Sequence, residues 1–170
     1  TGGRVLPEVG EKRGPGWRSL QYNSDVKLAL IGTHGVGKTT LCFELAARLK
    51  RRSLDVEIVR EVARRCPLPI NEQTTVRAQE WILLTQMALE IEATAAHEMV
   101  LCDRSGLDNS CYLVHAAGPQ PRWERMLDDW IPTYDLLVWV PLWTQPSYDG
   151  VRAADPGFQR AIDELLGAMV

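Results

Sequence analysis

Nine consecutive residues near the start of the chain have the types and spacing of a loop that binds phosphates. Glycines let a backbone turn tightly so that several N–H groups point at an anion, and a following helix adds the positive end of its dipole. The segment GTHGVGKTT matches the pattern G-x-x-x-x-G-K-[ST]. It predicts a site for the phosphates of a nucleoside triphosphate, formed by Gly32, Thr33, His34, Gly35, Val36, Gly37, Lys38, Thr39 and Thr40.

Two side chains of this loop and one acid beyond it fit the chemistry of phosphate and Mg²⁺. Lys38 can reach the β- and γ-phosphates, and the Thr39 hydroxyl can ligate Mg²⁺. Asp103 ends the apolar run MVLCD, and a carboxylate at the carboxyl end of a strand can orient the magnesium shell. We therefore predict Thr39 and Asp103 as the metal residues, with capping of the next helix as a compatible role for Asp103.

A second group of charged and polar residues follows the next strand. Glu61 stands at the end of DVEIVRE (55–61), where a carboxylate can take a proton from an acceptor hydroxyl. Arg64 and Arg65 come one turn later and can bind a phosphate or carboxylate. Gln79 and Gln86 lie on a predicted helix and can read a base edge with a paired donor and acceptor. These five residues are the predicted substrate-binding set.

Two arginines complete the predicted catalytic set. Arg104 directly follows Asp103, and Arg152 lies in the loop-like stretch 143–157. A mobile loop that carries an arginine can close over a triphosphate, neutralise developing charge and exclude water. The predicted catalytic residues are Lys38, Glu61, Asp103, Arg104 and Arg152.

The elements that must position these residues alternate between strands and helices. Apolar runs at 26–32, 55–61, 99–103 and 135–142 predict buried strands, and helical patterns are found at 38–51, 72–97, 107–118, 122–130 and 158–170. This alternation predicts a mainly parallel sheet in a three-layer α/β sandwich. Residues 1–24, rich in Gly, Pro and charge, predict a flexible arm, and residues 25–170 form one domain whose lid is at about 143–157.

Composition argues against several classes of protein, although a local basic patch that binds nucleic acid is not excluded. The net charge is −3, whereas proteins that bind long nucleic acids usually carry a basic surplus. No apolar run approaches the roughly 20 residues that span a bilayer, and no signal peptide is visible. The four cysteines show no zinc-ligand spacing, so we interpret them as reduced thiols in a cytoplasmic protein, with Cys102 in the core.

The motifs together resemble the P-loop nucleoside and nucleotide kinase group. They are GTHGVGKTTL, then REVAR, LCDRS, DGVR and FQRAIDELL in chain order. Within the group, the chain is similar to small ATPase/kinase domains such as the ribosylnicotinamide kinase domain. The resemblance implies a five-stranded parallel sheet, with ATP and Mg²⁺ as cofactors.

The resemblance also implies roles for single residues. It assigns phosphate and metal to Lys38 and Thr39, and makes Asp103 and Arg104 the Asp-Arg motif. It makes Glu61 the carboxylate near the acceptor hydroxyl and Arg152 a lid arginine. The base-reading residues and a final strand after the last helix have no recognisable counterpart.

The combined interpretation is a kinase that moves the γ-phosphoryl group of ATP to a small nucleoside-like or nucleotide-like acceptor. Either Glu61 or Asp103 is the base, and Glu61 is favoured because Asp103 serves Mg²⁺. Two alternatives remain: a polynucleotide 5′-end kinase, and a nucleotide-dependent regulatory ATPase that acts on a partner protein. No guanine-specific motif is present, and the sequence indicates no oligomeric state.

Overall fold

A computed structural model describes residues 26–142 and 156–170. Within these ranges, four strands form one sheet in the order β2-β3-β1-β4, and every neighbouring pair is parallel. The strands are β1 (Val26–Ile31), β2 (Val56–Val59), β3 (Met99–Asp103) and β4 (Leu136–Trp139). The helices are α1 (Lys38–Lys50), α2 (Val76–Ala96), α3 (Gly106–Ala117), α4 (Pro121–Trp130) and α5 (Pro156–Met169). Short 3₁₀ turns lie at Val62–Arg65, Asn71–Gln73 and Ile131–Thr133.

Helices cover both faces of the sheet, which confirms the predicted three-layer α/β sandwich. On one face, Leu30 and Leu101 pack against Cys42 and Ala46 of α1. On the other face, the neighbouring strand positions belong to the core cluster that includes α3 and α5: Ala29, Ile31, Val100, Cys102, Leu107, Cys111, Phe158, Ile162 and Leu166. Because successive side chains of a strand point to opposite faces, strands buried on both sides are almost continuously apolar.

The pairing of β1 with β3 brings the two phosphate-related segments together. Leu30 lies opposite Asp103 in the parallel register. The loop that leaves β1 therefore begins beside the acid that ends β3. In parallel sheets the carboxyl ends of neighbouring strands share one edge, and ligands bind there.

The apolar pattern of α2 predicts one buried face made of Val76, Leu83, Leu84, Met87 and Ile91, and the face that is buried differs from it. Leu83 and Met87 are buried as expected, but Leu84 and Ile91 are 50% and 57% exposed. Polar side chains take the buried positions instead, namely Gln79, Gln86 and Glu90. A rule that counts apolar residues misses this face, because hydrogen bonds from Gln79 to Thr74 and from Gln86 to Glu90 stabilise the polar positions. Gln86 Oε1 is buried without a hydrogen-bond partner among the described residues.

Glu90 is the centre of a buried polar network. Its side chain is fully buried. Lys27 Nζ lies 3.1 Å from Glu90 Oε2, and Trp130 Nε1 donates to the same oxygen at 3.0 Å. Gln86 Nε2 and the Tyr134 hydroxyl each donate to Glu90 Oε1 at 2.8 Å. The network therefore joins β1, α2, α4 and the segment before β4.

Some predicted boundaries differ from the structure. The strand predicted at 135–142 is β4, Leu136–Trp139, and α5 begins at Pro156, inside the predicted lid. The sheet has four strands in the described ranges, not the five that the resemblance implies. The arm at 1–24 and lid residues 143–155, including Arg152, lie outside the described residues. None of the described helices has both the length and the apolar character needed to cross a bilayer.

Replacing Lys27 with Met should lower the free energy of unfolding by about 3–5 kcal/mol, because Glu90 would stay buried with only neutral partners among the described residues. Urea denaturation at pH 8 measures this loss. The control Lys50→Met, at an exposed position of α1, should change stability by less than about 0.5 kcal/mol. A loss below about 1 kcal/mol for Lys27→Met would mean that the pair contributes no more than a surface ion pair.

Candidate functional site

The loop between β1 and α1 has the backbone geometry that a phosphate cradle needs. Gly32 and Gly37 have φ angles of 147° and 92°, in the region that favours glycine. A Cβ atom at Gly32 would also lie 2.5 Å from the Val140 carbonyl oxygen. Gly37 is the N-cap of α1, so the first amide groups of the helix face the loop with no side chain capping them from that position. An anion can satisfy those amides and the positive end of the helix dipole.

Lys38 lies folded over the loop. Its Nζ donates to the carbonyl oxygens of Gly32 and Thr33 at 2.7 Å and 2.6 Å. Burial, together with the positive charge of Arg104, lowers the pKa of Lys38 to about 7. A bound triphosphate would favour the charged form and give the ammonium group a stronger partner than two carbonyls.

Thr39 and Asp103 form a pair suited to Mg²⁺. The Thr39 hydroxyl donates to Asp103 Oδ2 at 2.6 Å. Both groups offer oxygen ligands, and Mg²⁺ in nucleotide sites is usually held by one or two such ligands, phosphates and water. Within 26–142 and 156–170 no group of three His, Cys, Asp or Glu side chains is arranged to hold a metal ion, which is compatible with this type of site.

Asp108 ties the phosphate loop to the turn after β3. Its Oδ1 accepts from the Gly32 amide at 2.9 Å. Its Oδ2 accepts from the amide and hydroxyl of Ser105 at 2.8 Å and 2.9 Å. Ser105 in turn caps α3, so the two form a capping box. The sequence analysis did not single out Asp108, although the Ser-x-x-Asp spacing before a helix is a detectable capping signal.

Glu61 is held between two arginines. Its Oε1 accepts from Arg104 Nε and its Oε2 from Arg64 Nε, each at 2.8 Å. Burial alone would raise the pKa of Glu61, but the charges of Arg104 and Arg64 lower it to about 2. Glu61 is therefore an ionised carboxylate throughout the neutral pH range.

A pocket opens beside this carboxylate. Predicted site residues His34, Glu61, Arg64, Gln79 and Arg104 all line it. The other lining residues are Ala63, Ile70, Asn71, Ile82, Asn109 and Tyr112. Small-ligand sites have this kind of lining, with apolar walls for burial and a few polar groups for orientation.

His34 links the phosphate loop to the pocket. Its Nδ1 lies 3.2 Å from the Tyr112 hydroxyl, and its ring centroid lies 5.6 Å from that of Phe158. Gln159 Nε2 donates to the His34 carbonyl at 2.7 Å. Helix α5 thus packs against the tip of the loop. His34 lines the pocket with Tyr112, while its backbone belongs to the phosphate loop.

Two buried donors at the pocket have no hydrogen-bond acceptor among the described residues: Arg104 Nη1 and Asn109 Nδ2. Both residues line the pocket, and the Arg104 guanidinium lies 5.1 Å from the centroid of the Tyr112 ring, which also lines it. Buried donors without partners are costly, so a ligand with acceptor oxygens fits this end of the pocket. Sequence analysis missed Asn109 and Tyr112, although their three-residue spacing puts them on the same face of α3.

Two of the five predicted substrate-binding residues, Gln86 and Arg65, do not line the pocket, and the predicted lid arginine is not among the described residues. Gln86 is buried, but it donates to Glu90 and, at 3.4 Å, to the Arg104 carbonyl oxygen, and it does not line the pocket. Arg65 is exposed and is also absent from the pocket lining. Arg152 lies outside the described residues.

Solved structures with the same fold include two kinases. A deoxyadenosine kinase from M. mycoides with bound dATP aligns with a TM-score of 0.54 and 15% identity, covering 85% of this chain and 83% of that one. A thymidylate kinase from Ehrlichia chaffeensis aligns with a TM-score of 0.61 and 16% identity, covering 85% and 80%. These matches confirm the predicted three-layer α/β fold of the P-loop NTPase type.

The sequence comparisons give a family rather than an individual relative. No protein of curated function matches the chain significantly. The family model described as "AAA domain" matches residues 27–170. This range includes the phosphate loop, Asp103 and all the strands and helices described above except Val26, the first residue of β1. The chain therefore belongs to the AAA domain family.

Proposed function

We propose that this protein is a kinase that transfers the γ-phosphoryl group of ATP, with Mg²⁺, to a small nucleoside-like or nucleotide-like acceptor. The observation that carries the proposal is a second ligand pocket beside the phosphate loop, lined by His34 of the loop and by the Glu61–Arg104 pair. A transferase needs such a place for an acceptor. The kinases with similar structures are named for a nucleoside and a nucleotide, which supports this class of acceptor.

The phosphate side of the reaction is assigned to the loop and the two neighbouring strand ends. Main-chain amides and Lys38 bind and orient the triphosphate, since phosphoryl transfer depends chiefly on positioning and charge stabilisation. Thr39 and Asp103 hold Mg²⁺, which neutralises charge on the phosphate oxygens when bound. Arg152 is proposed as the lid arginine that closes over the triphosphate.

Glu61 is proposed as the group that accepts the proton of the attacking hydroxyl. Asp103 is hydrogen-bonded to Thr39 on the metal side, whereas Glu61 lines the acceptor pocket. A pKa of about 2 makes Glu61 a weak base, but it guarantees a charged carboxylate that orients the hydroxyl. In a loose transition state, the attacking hydroxyl transfers little of its proton before the bond to the leaving oxygen is largely broken.

The pocket suggests the chemistry of the acceptor. Arg104 Nη1 and Asn109 Nδ2 need acceptor oxygens, which a phosphate, a carboxylate or sugar hydroxyls supply. Ile70 and Ile82 offer apolar walls for a flat ring. The Gln79 amide lines the same pocket while its Nε2 donates to Thr74 at 2.8 Å, so its carbonyl oxygen is the group proposed to read a base.

Labelled ATP should give transfer of its γ-phosphate to at least one member of a panel of nucleosides, nucleoside monophosphates and short oligonucleotides. Lys38→Ala should lower affinity for ATP by roughly 100-fold or more and abolish transfer, because a buried charge-assisted contact is lost. Lys50→Ala is the matched control and should behave as wild type. Transfer to oligonucleotides alone would favour the end kinase, and nucleotide-dependent partner binding with no acceptor would favour the regulatory ATPase.

Glu61→Gln should lower kcat for transfer by about 10²–10⁴-fold, because the charged carboxylate that orients the attacking hydroxyl and takes its proton late in the reaction is lost. ATP affinity, measured by calorimetry, should change little because Glu61 lies on the acceptor side. Asp103→Asn is the comparison: it should weaken Mg²⁺-dependent ATP binding as well as transfer. If single-turnover transfer in Glu61→Gln matched wild type, the role of base would pass to Asp103.

The pH profile of transfer should show no acidic limb from Glu61 between pH 5 and pH 8. The pKa of Glu61 is lowered from its ordinary 4.5 to about 2, so the carboxylate is fully charged above pH 4 and loses charge only in stronger acid. The same shift stabilises the fold above pH 4.5, and this stabilisation fades as the pH falls toward 2. In Arg64→Met one of the two cations beside Glu61 is gone, so the pKa of Glu61 should rise and the loss of transfer in acid should begin at a higher pH. If transfer were lost at the same acidic pH as in wild type, the charge of Arg64 would not be a cause of the low pKa.

A further inference from the structure

The turn that carries Arg104 has a strained backbone. Arg104 has a φ of 105°, a value that residues with a side chain rarely adopt. Such a conformation persists only where surrounding contacts hold it in place. The turn also sets the direction of the Arg104 guanidinium, which contacts Glu61 and lines the pocket. The contacts that hold this backbone therefore bear on the site.

Two buried side chains, one from α2 and one from the segment before β4, hold the backbone of the turn. The Tyr134 hydroxyl accepts a hydrogen bond from the Gly106 amide at 3.1 Å. Gln86 Nε2 lies 3.4 Å from the Arg104 carbonyl oxygen and donates to it, a longer and weaker contact. These two contacts fix the main chain on either side of Ser105. Tyr134 makes the firmer of the two contacts.

Both of these side chains are oriented by the same carboxylate oxygen. Gln86 Nε2 and the Tyr134 hydroxyl each donate to Glu90 Oε1 at 2.8 Å. A tyrosine hydroxyl has one proton, and its donation to Glu90 leaves a lone pair for the Gly106 amide. The charged Glu90 thus fixes the direction of the hydroxyl. The other oxygen, Oε2, binds Lys27 and Trp130, which lead away from the turn.

We propose that Glu90 and Tyr134 are positioning residues for Arg104. Through the Gly106 amide they hold the turn after β3, and so fix the guanidinium against Glu61 at the acceptor pocket. Neither residue lines the pocket, and each acts only through the turn. The kinetic consequence rests on the proposed function, whereas the structural consequence for Gly106 and Arg104 does not.

Tyr134→Phe tests the proposal by removing one hydroxyl and keeping the ring. Its matched control is Thr133→Val, which also removes one hydroxyl from this network. Lys27 Nζ donates to the Thr133 hydroxyl at 2.5 Å. Thr133 therefore belongs to the part of the network around Glu90 Oε2, which does not reach the turn. Thr133 is exposed and Tyr134 is buried, so the control matches the loss of a hydroxyl from the network and not its burial. Differences between the two variants in the exchange of the Gly106 amide and in acceptor kinetics therefore report on the turn.

Tyr134→Phe should lower kcat/KM for the acceptor by about 10–100-fold while the KM for ATP stays within about 3-fold, as expected when a group is displaced by a fraction of an ångström. Thr133→Val should leave both constants near wild type. Equal acceptor kinetics in the two variants would overturn the proposal. If Tyr134→Phe fails to fold, Gln86→Met, which removes the second contact to the turn, takes its place with the same expected split.

A second readout needs no enzymatic activity. Hydrogen exchange of the Gly106 amide should become at least about 10-fold faster in Tyr134→Phe, because its acceptor is gone and the turn opens more readily. The Arg104 Nε–H resonance should shift in that variant and not in Thr133→Val. Unchanged exchange and resonance would overturn the proposal even if transfer were found. Changed exchange and resonance without any transfer would uphold the positioning role and count against the kinase assignment.

Discussion

The parallel pairing of β1 with β3 is the constraint on which the rest of the site depends. It puts Leu30 opposite Asp103. The phosphate loop after β1 and the carboxylate at the end of β3 therefore lie at the same edge of the sheet. The Thr39–Asp103 contact follows directly from it. So does the bridge of Asp108 between Gly32 and Ser105. A shift by one residue would turn the side chain of Asp103 to the opposite face of the sheet.

Four charged side chains are buried around this edge of the sheet, and they are tolerated there because they have polar or charged partners. Lys38, Glu61, Asp103 and Arg104 are each less than 10% exposed. A buried charge is costly unless it has a partner. Glu61 is satisfied by two arginines, and Lys38 by two carbonyls of its own loop. Arg104 keeps one donor without a partner among the described residues, so the described contacts leave this arginine with capacity for a ligand.

The phosphate loop could be predicted from sequence because its conformation is encoded locally, by glycines such as Gly37 with a positive φ. The sheet followed from near-continuous apolar strands. The contact between Glu61 and Arg104 could not be predicted in this way, because the two residues are 43 positions apart in the chain. Gln79 and Gln86 are seven residues apart on one face of α2, but about 10 Å apart along its axis. Gln79 therefore reaches the pocket, while Gln86 lies beneath the Arg104 turn.

The clamped state of Glu61 bears on the kind of catalysis that such a site performs. With a pKa of about 2, the Glu61 carboxylate is a weak base, but it has a fixed direction and stays charged at neutral pH. That would be a poor arrangement for a reaction that begins with removal of a proton. It suits phosphoryl transfer through a loose transition state, where the nucleophile keeps its proton until late and alignment supplies most of the rate. On this argument the arginines around Glu61 serve the proposed reaction by orienting the carboxylate, and a stronger base at this position would gain little.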